Sequence, residues 1–354
     1  MNYIGSKYSL IDFIKDTVHD VLVRNKELRQ PNEMVFADLF AGTGIVSGSF
    51  KELGYSIIAN DIQYYSYVIT KHMIENNGNL NKERCSKLIS DLNNVAGTDG
   101  FVYKNYSYGG TEGQEFRRMY FSDYNARKCD AIRQTLDTWL KQEIINESEF
   151  YYLLGSLIDS IDRCANTALV YGAYLKKLKA KAERKMDLIG LPIMKGKVLC
   201  NVYNEDACDL VNRIEGDILY LDPPYNDRQY CSNYHVLETI AKNDNPEIHG
   251  KTGLLDYFEQ KSLFCSKSSA PAALRRLIAD AKFKYIFLSY NNEGIISNEF
   301  IEKTMKEYGQ YFVYSKEYHR FKSDRDENRQ HKAKTTVEYI HCLIKNDDVL
   351  KVED

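Results

Sequence analysis

Val35-Phe36-Ala37-Asp38-Leu39-Phe40-Ala41-Gly42-Thr43-Gly44 is the stretch that decides the fold. Val35 to Phe40 reads as a short buried strand, the two glycines as a tight turn, and the apolar pattern from Ile45 to Leu53 as a helix. In doubly wound α/β folds this order makes a ligand cradle, because glycines admit a close backbone approach and the helix N-terminus completes the site. A dinucleotide fingerprint would carry a third glycine at its sixth position; here Ser47 stands there and Gly48 comes one step late, so a nicotinamide or flavin enzyme fits imperfectly. Next, Ser56-Ile57-Ile58-Ala59-Asn60-Asp61 reads as a second strand ending in an acid. Asp61 is placed to accept hydrogen bonds from both hydroxyls of a ribose. The plainer alternative is a turn residue closing the strand.

Further outward, Asn2-Tyr3-Ile4-Gly5-Ser6-Lys7 precedes a run from Leu10 to Val23 whose apolar residues keep helical spacing. Without an upstream strand and a first glycine, the Gly-Ser-Lys turn is a poor phosphate loop, which disfavours nucleotide hydrolysis. Towards the C-terminus, the apolar run Asp217-Ile218-Leu219-Tyr220-Leu221 ends on Asp222-Pro223-Pro224-Tyr225. An exocyclic amine on a nucleobase is a poor nucleophile, its lone pair delocalised into the ring, and it gains reactivity when acceptors hold its hydrogens. Asp222 offers a carboxylate. The Pro-Pro turn is stiff and lacks amide donors, so the Pro223 carbonyl can be the second acceptor. Tyr225 supplies a face on which a base stacks, worth about 1–3 kcal/mol. A Pro-Pro turn that merely closes a strand is the bland alternative.

The chain has 354 residues, enough for one large or two interleaved domains. A net charge of -3 excludes a generally basic coating protein and leaves room for a local basic face. The eight cysteines are scattered with no C-x-x-C pair, which reads as reduced thiols and no zinc site. No basic-then-apolar leader opens the sequence, and no apolar run reaches about 18 residues, so the expected compartment is the cytoplasm, with no membrane partner. The 28 tyrosines are read as AT-rich coding bias more than as widespread base stacking.

Taken in order, Tyr3 to Lys7, Asp38 to Gly44, Asp61 and Asp222 to Tyr225 resemble the DNA adenine methylase family, the alpha-group N6-adenine DNA methyltransferases that use S-adenosylmethionine. The resemblance spans nearly the whole chain and implies an α/β, Rossmann-like methyltransferase fold: a mostly parallel sheet with an inserted, mainly helical target-recognition domain. It implies that Tyr3, Lys7, Asp38, Gly42, Gly44 and Asp61 line the cofactor, with Tyr3 where the family often has tryptophan. A further acid beside the cofactor adenine is implied in Val202-Tyr203-Asn204-Glu205-Asp206, Asp206 being the better candidate and Glu205 remaining open. Asp222, Pro223 and Tyr225 would be catalytic, holding an adenine flipped from duplex DNA, and no metal is called for. The segment after the tetrad is similar to that of restriction-associated enzymes, implying a host-protecting role and a cognate endonuclease acting on the same site.

The sequence between Asp61 and Asp206 is longer than one crossover helix needs, so a lobe is inserted there. The expected boundaries are 1–70 and 198–354 for the catalytic domain and 71–197 for target recognition. Ser122-Asp123 should cap a helix through Ile132 and Leu136, and Phe150 to Ile161 a second. The lysine cluster at Lys176, Lys177, Lys179, Lys181, Arg184 and Lys185 could neutralise phosphates or be a solvated helix face, the two readings standing even. Arg117, Arg118 and Tyr120 are a weaker DNA candidate. Arg228, Tyr230, Asn233, His235 and Glu238 follow the tetrad and could flank a bound strand, although His235 reads as packing more than as a base. His319-Arg320-Phe321-Lys322 to Arg329-Gln330-His331-Lys332 reads as a hairpin loop, touching DNA or simply solvated. Ser289-Tyr290-Asn291-Asn292, ending the strand that begins at Tyr285, should share the carboxyl edge of Asp222. Rival substrates on the same fold are RNA adenine and protein glutamine; a cytosine-N4 enzyme would usually start the tetrad with serine. The rival from another class is a non-catalytic DNA binder with a vestigial pocket.

Overall fold

The computed structural model describes residues 5–319 and 335–346. Contacts divide it into two compact units. One is built from Ser6–Ile62, Gly196–Gln229 and the described residues from Gln260 onward, the other from Gly5, Gln63–Lys195 and Tyr230–Glu259. The strands along the described residues are β1 (Val35–Asp38), β2 (Ser56–Asn60), β3 (Cys200–Tyr203), β4 (Glu215–Leu221), β5 (Ile248–His249), β6 (Leu254–Leu255), β7 (Lys282–Asn291), β8 (Gly309–His319) and β9 (Thr335–Lys345).

The first unit holds a seven-stranded sheet in the order β3-β2-β1-β4-β7-β9-β8. From β3 to β7 every pairing is parallel, and β9 then pairs antiparallel with both β7 and β8. The central strands are continuous apolar runs because both their faces are covered. On one face Leu219, Leu221, Ile286 and Leu288 pack with Leu210, Leu274, Leu277, Ile301 and Met305. On the other, Phe36 stacks on Phe50 of the helix Ile45–Glu52 with ring centroids 3.8 Å apart. The strand order reverses between β1 and β4, where the chain leaves β1 for β2 on one side and β4 for β7 on the other. Such a switch point opens a crevice at the carboxyl ends of the strands. The register Asp38↔Tyr220 brings the end of β1 level with the residue two before Asp222.

The second unit is mainly helical. Its core is a cluster that includes Tyr65, Val68, Leu92, Ile132, Leu136, Leu154, Leu157, Ile158, Tyr234, Val236 and Leu237. Ser122 caps the helix Asp123–Lys141, and Asn146 with Glu149 forms a capping box on Glu147–Arg163, a helix buried almost all round. The helix Tyr230–Lys242 belongs here, not with the sheet, because Tyr234, Val236, Leu237 and Ile240 bury in this core. The boundary drawn from sequence, which kept everything after 198 with the catalytic part, therefore differs from the division by contacts. No helix among the described residues is long and apolar enough to cross a membrane.

Candidate active site

The sheet unit gathers Lys7, Asp38, Gly42, Gly44, Asp61, Asp206, Asp222, Pro223 and Tyr225 into one fold unit, on or beside the turns that leave the carboxyl ends of β1 to β4. Gly42 and Gly44 adopt positive φ, +54° and +75°, which residues with a Cβ rarely take. Gly44 ends the turn as the N-cap of the helix Ile45–Glu52. The Gly42 amide donates to Asp61 Oδ2 at 2.8 Å, so the acid after β2 is held against the glycine turn after β1.

Asn60, which the sequence did not single out, ties these turns together. It is buried, its Nδ2 donates to the carbonyls of Leu39 (3.1 Å) and Glu205 (3.0 Å), and its Oδ1 accepts from the Glu205 amide (3.0 Å). One side chain thereby joins the turns leaving β1, β2 and β3. Asn60→Ala is expected to lower stability by about 1–3 kcal/mol, read by urea unfolding, because one buried and two partly buried backbone groups lose their partner. Of the two acids after β3, Asp206 caps the short helix Ala207–Leu210 through Oδ1 (2.8 Å to the Cys208 amide), while Glu205 pairs with Arg213.

Asp38 is 1% exposed, with Oδ2 accepting from Ser47 (2.7 Å) and Oδ1 buried without a side-chain hydrogen-bond partner among the described residues. Burial first, and then the nearby carboxylates of Asp222 and Asp61, push its carboxyl up to about 7. Acids this close with an unpaired oxygen suit a ligand that carries positive charge.

Asp222 follows β4 directly. Its Oδ1 lies 3.0 Å from Lys7 Nζ, and the same ammonium donates to Glu338 Oε1 at 2.8 Å. Ser289 donates to that Glu338 oxygen at 2.7 Å. Lys7 and Glu338 are 5% and 1% exposed and Asp222 16%, so the triad is dry at Lys7 and Glu338 and opens outward at Asp222. Burial raises the Asp222 carboxyl to about 6, opposed by Lys7 and supported by Glu338; the Lys7 ammonium, despite burial, is held well above its ordinary value by Asp222, Tyr225 and Glu338. Tyr225 stands edge-on to Tyr290 (centroids 5.9 Å, 78°), its carbonyl accepts from the Ile295 amide (3.0 Å), and Lys7 Nζ is 5.5 Å from its ring centre. Glu338 escaped the sequence reading. The signal was there: a lone acid inside the apolar strand Val337-Glu338-Tyr339-Ile340-His341-Cys342-Leu343-Ile344, where a buried charge demands a partner.

Other candidates fall elsewhere. Tyr3 and the basic stretch Arg320 to Lys332 lie outside the described residues, as does the side chain of His319. Arg228 is exposed just after the tetrad. Tyr230 and Asn233 open a helix of the helical unit, where the Asn233 carbonyl accepts from the Tyr171 amide at 2.7 Å. His235 is fully buried between the Ser232 and Thr252 carbonyls, and burial lowers its pKa, as packing and not proton transfer would have it. Glu238 is buried too, accepting from the amides of Tyr64 and Tyr65 at the start of a helix. It is a cap and does not grip a strand. Arg118 and Tyr120 are likewise interior: Arg118 donates to the Gly250 carbonyl (2.9 Å) and Tyr120 to those of Tyr171 (2.7 Å) and Thr252 (3.0 Å). Arg117 lies on Tyr108 and pairs with Glu112.

The lysine cluster is not a helix face, since only Ala180–Glu183 is helical. Its backbone hangs on two buried asparagines: Asn166 bonds Leu175 and Lys179, and Asn125 bonds Ala182, Arg184 and Met186. Lys176, Lys177, Lys179, Lys181 and Lys185 are exposed from this anchored segment.

Comparison with known proteins finds a match over residues 3–304 to the D12 class N6 adenine-specific DNA methyltransferase model. The chain is 43% identical over 345 residues to the type II methyltransferase M.NlaIII of Neisseria lactamica, covering 98% of this chain and 99% of that protein. It is 40% identical to the type II methyltransferase M.FokI of Planomicrobium okeanokoites, covering 98% of this chain but 53% of the longer relative. M.CviAII, a type II methyltransferase of Paramecium bursaria Chlorella virus 1, is 34% identical over 91% of this chain and 93% of its own length. No solved structure matches.

Proposed function

The chain belongs to the D12 class of N6 adenine-specific DNA methyltransferases, and from that membership we propose that it transfers a methyl group from S-adenosylmethionine to the N6 nitrogen of an adenine flipped out of duplex DNA at one recurring short sequence. The observation that carries the reading is Asp222: a carboxylate 16% exposed at the β1/β4 switch point, beside the Gly42–Gly44 turn, with Lys7 Nζ 3.0 Å from its inner oxygen. The donor fits the residues present. Asp38, Asp61 and Asp222 form an anionic site suited to a cationic sulfonium, and Gly42, Gly44, Asp61 and Asp206 would hold the nucleoside portion, with Lys7 beneath Asp222. When bound, the donor supplies a methyl group already activated by its positive sulfur.

The protein's part is positioning. Extruding the base costs a few kcal/mol, offset by pocket contacts. Asp222 and the Pro223 carbonyl accept the two amino hydrogens and turn the nitrogen lone pair towards the methyl group, while the Tyr225 ring takes the face of the base. The nitrogen would form its new bond to the methyl carbon as the carbon–sulfur bond breaks, the electron pair going to the departing sulfur of the neutral S-adenosylhomocysteine, and would afterwards give up a proton to water. Residues 71–197 serve target recognition in this reading. Lys176, Lys177 and Lys179 contribute sequence-independent affinity for phosphates, and Arg228, Tyr230 and Asn233 contact the DNA strand. The printed names of the relatives, type II methyltransferase and modification methylase, support a role in a restriction-modification system, with an endonuclease acting on the same site, in a cytoplasmic setting.

Two measurements test this. Labelled S-adenosylmethionine offered with unmethylated DNA, RNA or peptide should label DNA; label in RNA or peptide alone would refute the substrate. Changing Lys176, Lys177 and Lys179 together to alanine should reduce the slope of log affinity against log salt by roughly 2–3, close to 0.9 per lost phosphate contact. The rate at saturating DNA should hold, and an unchanged slope would remove the cluster from the interface.

A further inference from the structure

Between the helix Glu147–Arg163 and β3 the only regular element is the short helix Ala180–Glu183. Stretches this long without regular structure are uncommon in compact units and are either functional or loose linkers. This one is not loose. Having no ladder of its own, its backbone must find partners elsewhere, and it finds side chains of the surrounding helices. Asn125, on the helix Asp123–Lys141, donates through Nδ2 to the carbonyls of Ala182 (3.2 Å) and Arg184 (2.9 Å) and accepts at Oδ1 from the Met186 amide (2.8 Å). Asn166 donates to the Leu175 carbonyl (3.0 Å) and accepts from the Lys179 amide (3.0 Å). Both side chains are fully buried. Asn93 holds the amide and carbonyl of Leu188 (2.8 and 3.0 Å), and the hydroxyls of Ser160 and Ser156 take the amides of Ile189 and Leu191 (3.0 Å each). What this fastened backbone carries outward is charge: Lys176, Lys177, Lys179, Lys181, Arg184 and Lys185 are all exposed, with only Glu183 and Asp187 among them to oppose. Among the described residues none of these six cations pairs with a carboxylate, whereas Lys71, Arg84, Arg127 and Arg163 of the same unit each do.

We propose that Asn125 and Asn166 are positioning residues that set the backbone of residues 175–186 in its DNA-bound course before DNA arrives, so that the six cations form one preorganised track for a run of phosphates. The inference rests on the reading of Lys176, Lys177 and Lys179 as phosphate contacts; it extends that contact to Lys181, Arg184 and Lys185 and adds the two asparagines behind it. Like charges on a fixed backbone repel one another, an arrangement that a polyanion relieves. A flexible basic segment would have to be ordered on binding, and that entropy would be lost from the affinity. A segment already fastened by its own fold keeps it. Asparagine suits the task because one neutral side chain carries both a donor and an acceptor, so it can replace backbone partners of both kinds without bringing a charge into the interior.

Two measurements on the full-length chain test this. The first needs no variant: in the DNA-free protein the amides of Lys179 and Met186, which donate to the two asparagines, should exchange with deuterium at least about 10²-fold more slowly than in an unstructured peptide. Exchange at the unstructured rate would mean that the segment is not preorganised and would overturn the proposal. The second is a double-mutant cycle read by the anisotropy of labelled, random-sequence, unmethylated duplex DNA at fixed salt. Asn166→Ala should weaken binding about tenfold in the otherwise unaltered protein, but less than about twofold when Lys176, Lys177 and Lys179 are already alanine, because the asparagine acts on DNA only through those lysines. No weakening, or equal weakening in both backgrounds, would leave Asn166 a structural residue and contradict the inference. If Asn166→Ala fails to fold, Asn125→Ala carries the same cycle against alanine at Lys181, Arg184 and Lys185. The triple lysine variant separates the two failures: binding as tight as the parent's would sink the phosphate reading and this inference with it, whereas weakened binding there with no coupling to Asn166 would sink this inference alone.

Discussion

Asp222→Ala is expected to lower kcat for methyl transfer by about 10²–10³-fold, the cost of removing one preorganised polar group from the reacting atom, while leaving the fold and the affinity for DNA largely intact. The fold should survive because Lys7 keeps its hydrogen bond to Glu338, so no buried cation is abandoned. The affinity should survive because the lost contact matters most as the amino nitrogen pyramidalises. Asp222→Asn, which keeps one carbonyl acceptor but no charge, should fall between. The same argument fixes a pH dependence. The Asp222 carboxyl is raised to about 6 by burial, and the ionised carboxylate is a stronger acceptor than the neutral acid, so kcat should be highest well above pH 6 and fall as pH drops through that value. Steady-state rates across this range, at saturating donor and DNA, check both statements.

Lys7→Met should be the most destabilising single change in the sheet unit, by about 3–5 kcal/mol, the usual cost of deleting one member of a buried ion pair. The methionine fills the space of the lysine stem but leaves the Asp222 and Glu338 carboxylates facing each other in a dry pocket. They would respond by sharing a proton. The sign follows: a carboxyl whose pKa is raised in the folded state binds its proton more tightly folded than unfolded. The variant should therefore be closest to the parent protein below about pH 4, the unfolded carboxyl value, and lose stability as pH rises towards neutrality. Adding Glu338→Gln to Lys7→Met should recover much of the stability without recovering activity, because Asp222 would then sit uncompensated and protonated. Urea unfolding of the three proteins at two pH values measures this. Equal losses at both pH values would show that the triad is not the source.

The parts of the site that were legible in the sequence are those whose geometry is local. Gly42 and Gly44 announce a turn that needs positive φ, the apolar run into Asp222-Pro223-Pro224-Tyr225 announces a buried strand and a stiff exit, and Asp61 is the last step of a strand that must lie beside β1. A strand-turn-helix unit carries its own instructions, so the doubly wound sheet could be anticipated before any long-range contact was known. Glu338 could not be placed in the same way: its partner Lys7 is 331 residues away, and the meeting depends on β9 pairing antiparallel with β7. Asn60 was overlooked because a polar residue at a strand end is ordinary until three backbone groups are seen to converge on it. The helix Tyr230–Lys242 shows a different limit. Periodicity can tell that one face of such a helix is buried but not in which core, and Tyr234 and Leu237 serve the helical unit. Arg118 and Glu238 make the same point for charge. Each has the composition of a surface residue, and each is interior because backbone groups of another segment needed it.

The central claim, that Asp222 at the β1/β4 switch point presents an adenine amino group for methylation, is tested most directly by mapping modified bases. Unmethylated genomic DNA would be incubated with S-adenosylmethionine and either the enzyme or its Asp222→Ala variant, then read by single-molecule sequencing. The account predicts N6-methyladenine at one recurring short sequence with the enzyme and its loss with the variant. Methylation at another atom, or undiminished N6-methyladenine with Asp222→Ala, would contradict it.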